Sequence, residues 1–135
     1  MTGVQTCALP ISIIDSLKSG KTVENVNPLL FSLFRPSVQP YMISWFKYDP
    51  QIEINKIKKK SLIVQGTKDI QVSLVDAELL SKVNNKSQLL VVENMNHVLK
   101  IVEGDRKENM ATYNNPNLPI SQKMIDGIVG FIKAK

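Results

Sequence analysis

Two residues have the type and placement to move a proton. Asp69 stands in SLIVQGTKD, three residues after Gly66, and His97 stands in LLVVENMNH, four residues after Glu93. His97 is the only histidine in the 135 residues. An imidazole titrates near neutral pH, so it can take a proton and return it within one reaction. A carboxylate bonded to one ring nitrogen fixes the tautomer and stabilises the imidazolium that forms. Each residue also has a plainer role open to it. Asp69 can cap the turn after a strand, and His97 can open the next helical turn.

The elements around them decide whether the two can meet. SLIVQG is a continuous apolar run ending in glycine, the pattern of a strand buried on both faces of a parallel sheet. Ser73 followed by Asp76 forms a capping box, and Val72, Val75, Leu79, Leu80 and Val83 then make one helix stripe. QLLVVE is a second buried-strand candidate. Strand, helix and strand within about thirty residues make a βαβ unit with parallel strands and a right-handed crossover. Ligands bind beyond the carboxyl ends of such strands. Neighbouring strands lie about 4.8 Å apart, so Asp69 and His97 are expected on one rim within hydrogen-bond reach. A closing helix is expected from Ser121 to Ala134, with Met124, Ile125, Ile128, Phe131 and Ile132 facing inward. Gly127 and Gly130 weaken that helix, so packing must hold it.

Ahead of this region, Ile13 to Lys60 reads as short helices separated at Pro28, Pro36, Pro40 and Pro50. Leu29, Leu30, Leu33 and Phe34 repeat at helical spacing, as do Tyr41, Met42, Trp45 and Phe46. These faces are either core or a lid over an apolar pocket.

The bulk properties narrow the field. Apolar residues make up 43% and charged residues 21%, ordinary values for one folded domain. Seventeen Lys and Arg against twelve Asp and Glu give +5, which steers anions without choosing a partner. The run Lys56, Lys58, Lys59, Lys60 lacks the aromatics or arginines that a nucleic-acid surface interleaves, so no nucleic-acid partner is expected. One cysteine and one histidine leave no disulfide framework and no structural zinc site, and no cofactor is implied. No apolar stretch approaches the ~20 residues that span a bilayer. The first seventeen residues carry no Lys or Arg, unlike a secretory signal. A cytoplasmic protein without a membrane partner is the expectation.

From about Phe34 onward the chain resembles the C-terminal part of a bacterial α/β-hydrolase, of the serine aminopeptidase-like and esterase-like group. The resemblance rests on the lid-like FRPSVQPYMISWFKYDP, the acid turn SLIVQGTKDIQV, the histidine turn LLVVENMNHVLK and the tail YNNPNLPIS before a final helix. Acid then histidine is the chain order of the second and third triad members in that family. The resemblance implies an α/β fold, a Ser-His-Asp triad with Asp69 as acid and His97 as base, and a small-molecule or peptide acyl substrate. Asn94 stands where many members have glycine, and asparagine tolerates the left-handed conformation. No G-x-S-x-G and no HG-type oxyanion loop occurs. The resemblance therefore implies a fragment that supplies acid and base but no nucleophile, inactive by itself. It also implies missing central strands, an open sheet edge and a tendency to aggregate.

MTGVQTCALPI, residues 1–11, fits nothing in that pattern. It resembles the translation of a common short-read sequencing adapter, which reads VTGVQTCALPI with GTG taken as a start. The expected organisation is thus an adapter-derived stretch at 1–11, a lid-like helical segment at 12–60 and a βαβα part at 61–135. The competing reading is a non-enzymatic α/β binding or interaction module, in which the Asp69 and His97 ends form a pocket.

Overall fold

Two runs of half-buried residues pair as the only strands among the described residues. β1 (Ser61–Gly66) and β2 (Ser87–Val92) lie parallel, in register from Ser61 opposite Ser87 to Gly66 opposite Val92. The helix between them, α5 (Leu74–Val83), starts where the sequence places its cap. The Ser73 hydroxyl accepts from the Asp76 N–H and the Asp76 carboxylate accepts from the Ser73 N–H. The chain is thus mixed α/β with a small two-stranded parallel sheet, here seen in a computed structural model that describes residues 3–134. Met1, Thr2 and Lys135 lie outside the described residues, and the side chains are described from Pro10 onward.

The chain divides into two units, Met1–Asp49 and Pro50–Lys135. In the first, α1 (Gly3–Lys18) runs without a break through Ile11 and Ser12. α2 (Phe31–Phe34) and α3 (Gln39–Trp45) follow, and Pro28 and Pro36 open 3-10 turns. Pro40 sits in the first turn of α3, where a missing N–H costs nothing. Ile13, Leu17, Val26 and Phe34 form the core. Gln39, fully buried, clamps it: its amide donates to the carbonyls of Val23 and Phe34 and accepts from the Val23 N–H. The two apolar faces expected in this region are mostly outside the core. Leu29, Leu33, Tyr41 and Trp45 are exposed, and only Phe34 is buried. Helices of four and seven residues have too little length to bury a whole stripe on so small a core.

The second unit opens with α4 (Pro50–Asn55), which packs on α5. Beyond β2 come α6 (Arg106–Ala111), started by an Asp105–Glu108 capping box, and α7 (Gln122–Lys133), capped by Ser121. Its core is Val92, Met95 and Met124, with Val64, Leu90, Ile125 and Ile128 against it. Gly127 lets α7 approach β2, because a Cβ there would stand 2.3 Å from a Leu90 methyl.

Three expectations need correction. The strand SLIVQG is only half-buried over its first four residues, since one neighbouring strand cannot cover a ribbon as a full sheet would. Val72 precedes α5 and is exposed, and on α5 itself Val75, Leu79 and Val83 are exposed while Ala77 is the buried residue. Ile132, expected to face inward, is 69% exposed, whereas Met124 on the same helix is buried.

Candidate functional site

The carboxyl ends of β1 and β2 touch. Gly66 makes this possible: a Cβ there would lie 2.0 Å from the Met95 carbonyl oxygen. The two strand ends are then tied at 3.1 Å from the Thr67 N–H to the Val92 carbonyl and at 3.0 Å from the Lys68 N–H to the Met95 carbonyl. The Thr67 hydroxyl accepts from the Asn94 N–H and donates to Glu93. Asn94 takes φ +58°, the left-handed conformation that asparagine tolerates.

On this joint the structure brings Asp69 and His97 together. Asp69 Oδ2 lies 2.9 Å from His97 Nδ1. The Asp69 side chain is 8% exposed and that of His97 is 39% exposed. The two roles open to Asp69 are divided between its oxygens. Oδ1 accepts from the N–H groups of Gln71 and Val72, capping the turn, while Oδ2 accepts from His97 and from Gln65 Nε2. Burial pushes the Asp69 pKa up. The Val72 and Gln71 N–H groups, then His97 and Gln65, pull it down further, so the carboxyl settles below the ordinary aspartate value. Asp69 is therefore an anion at neutral pH. With Nδ1 engaged, Nε2 is the nitrogen left to exchange a proton with a reacting group.

The histidine stands on a closed turn. The Asn96 N–H donates to the Lys100 carbonyl, the Lys100 N–H donates to Asn96 Oδ1, and an antiparallel bridge pairs Met95 with Ile101. Leu99 inside the turn takes φ +64°, a left-handed conformation that costs a branched residue about 1–2 kcal/mol. Neighbours hold the turn in that state. The Ser121 N–H, at the cap of α7, donates to the Leu99 carbonyl at 2.7 Å. The Lys100 ammonium, buried, donates to the carbonyls of Thr112 and Asn115 just past α6, where the end of a helix presents negative charge.

Sequence reasoning places Asp69 and His97 and misses their support. Gln65, Asn96, Lys100 and Asn109 are all buried and all bond into these turns. Gln65 carried a signal, as the one side chain with a polar end among the interior residues of SLIVQG. The asparagines carried none, being common in exposed turns. A cleft of about 230 Å³ opens beside Asp69, with Thr67, Ile70, Gly104 and Arg106 in its wall. Among the described residues, no cluster of His, Cys, Asp and Glu could hold a metal ion. No described helix is long and apolar enough to cross a membrane.

Comparison with known proteins returns no match to a family model, to a curated protein or to a solved structure.

Proposed function

We propose that Asp69 and His97 are the acid and base of a serine hydrolase of the α/β-hydrolase type, acting on an ester, amide or peptide-type acyl substrate. The observation that carries this reading is the 2.9 Å bond between Asp69 Oδ2 and His97 Nδ1 at the carboxyl ends of adjacent parallel strands. A buried, anionic carboxylate on Nδ1 leaves Nε2 as the base. In the reaction, Nε2 takes the proton of a serine hydroxyl as its oxygen bonds to the carbonyl carbon. The same proton then passes to the leaving alcohol or amine as the acyl bond breaks, and water repeats the sequence to free the acid. Asp69 holds the ring and stabilises the imidazolium through both halves.

These 135 residues hold no G-x-S-x-G elbow. The reading therefore places the nucleophile outside them, and the lid-like segment expected at 12–60, in which Leu29, Leu33, Tyr41 and Trp45 are exposed, corresponds on this reading to part of a lid.

The test has two parts. A fluorophosphonate probe is expected to leave the purified chain unlabelled, and labelling would show a nucleophile the reading lacks. Long-read sequencing of the source locus across the Ile11 codon is expected to show an open frame leading up from a strand and a G-x-S-x-G elbow. The protein from that longer frame would hydrolyse a p-nitrophenyl ester, and His97→Ala would lower its kcat by at least about 10⁴-fold. A locus that encodes MTGVQTCALPI in place would overturn the reading.

A further inference from the structure

We propose that Asn109 is the positioning residue that holds the acid turn and the histidine turn in register. The Asp69–His97 bond then depends on a side chain from a third element, α6.

Asn109 is 2% exposed. Its Nδ2 donates to the Lys68 carbonyl at 2.7 Å, and its Oδ1 accepts from Asn96 Nδ2 at 3.0 Å. Lys68 is bonded to Asp69 in the chain, and Asn96 to His97. One planar amide therefore spans the backbone beside the acid and the side chain beside the base. Only a group that donates on one side and accepts on the other can make both contacts, which excludes an aliphatic side chain or an ionised carboxylate.

The backbone ties between the strand ends do not replace this strut. The bonds from Thr67 to Val92 and from Lys68 to Met95 fix the chain as far as Met95. His97 lies beyond, on the turn that Asn96 closes through Lys100. Asn96 Nδ2 has a second acceptor, Thr112 Oγ1 at 2.7 Å, and Thr112 Oγ1 donates to the Asn109 carbonyl. Both acceptors of Asn96 Nδ2 thus lie on the segment that begins with α6, and of the two only Asn109 also reaches the acid turn.

This inference rests on reading Asp69 and His97 as an acid–base pair, and the test separates the two. With one histidine in the 135 residues, the imidazole ¹⁵N resonances of this chain report His97 alone. In the wild-type chain above the imidazole titration, the proton is expected on Nδ1, where Asp69 accepts it. Asn109→Ala is expected to lower the ratio of the Nδ1–H to the Nε2–H tautomer about fivefold, as a charge-assisted bond loses its alignment. Asn109→Ser, too short to span both turns, is read in the same way if the alanine variant does not fold. Asn84→Ala is the control, since Asn84 is as buried (3% exposed) and bonds at the opposite ends of the same strands. It is expected to lose stability without changing the tautomer ratio. An Asn109 variant whose ratio matches wild type, or shifts no more than that of Asn84→Ala, overturns the strut. Asp69→Asn is expected to lower the ratio as well, and no change there overturns the acid–base pair and the strut with it.

Discussion

The two ends of the β1–β2 pair are built from the same materials and differ in strain. At the amino end, Asn84 donates to the Ile54 and Ile57 carbonyls, catching the open end of α4, and accepts from the Lys86 N–H. The Ser61 and Ser87 hydroxyls meet at 2.7 Å. At the carboxyl end, Asn96 and Asn109 are as deeply buried, and each amide is likewise bonded through both its nitrogen and its oxygen. There, however, Asn94 and Leu99 take positive φ, a buried ammonium is met by carbonyls, and Asp69 is held below its ordinary pKa against an imidazole. Buried polar networks therefore do not by themselves mark a site. Strain and a perturbed titratable group, both confined to one end, are what single out the candidate site.

The sharpest way to break the contrast is through its joint. Gly66→Ala forces a Cβ against the Met95 carbonyl, and should cost about 3 kcal/mol or more in denaturant unfolding. Gly130→Ala, where nothing lies within 4 Å, should instead stabilise α7 by about 0.5–1 kcal/mol. Equal effects of the two would mean that the strand ends do not touch.

A pH series separates the ends next. The folded-state pKa of Asp69 lies below its unfolded value of about 3.8, so its contribution to stability is complete above that value and is lost as pH falls through the lowered one. Stability measured from pH 5 to pH 2 should fall less steeply in Asp69→Asn than in wild type. An unchanged slope would remove the electrostatic part of the contrast. The smallest effect is expected at Leu99, where glycine relieves the left-handed strain at the loss of a half-exposed side chain. Leu99→Gly should change stability by less than about 1 kcal/mol, in the stabilising direction. A clear loss would show that the Leu99 side chain, rather than the turn around it, holds this end together.

Much of the scaffold was legible in the residues. SLIVQG is β1 to the residue, QLLVVE is β2 shifted by one, and Ser73–Asp76 caps α5 as read. Ser121 caps α7 at the expected start. These features are local: a cap or a strand run is decided by side chains a few positions apart. Which faces are buried was less legible. Val75 and Ile132 belong to good helical stripes, yet they are exposed, because burial depends on how much sheet there is to cover.

The same division runs through the site. Chain order and strand ends were enough to put an acid and a histidine on one rim, since parallel strands of equal length bring their carboxyl ends together. Their 2.9 Å contact, the sharing of Asp69 between turn and imidazole, and the asparagine that joins the two turns follow from the folded chain. Asn109 lies forty positions beyond Asp69, and nothing local distinguishes it from an asparagine in an exposed turn. Only when α6 folds back against the strand ends does its amide find a carbonyl on one side and a donor on the other.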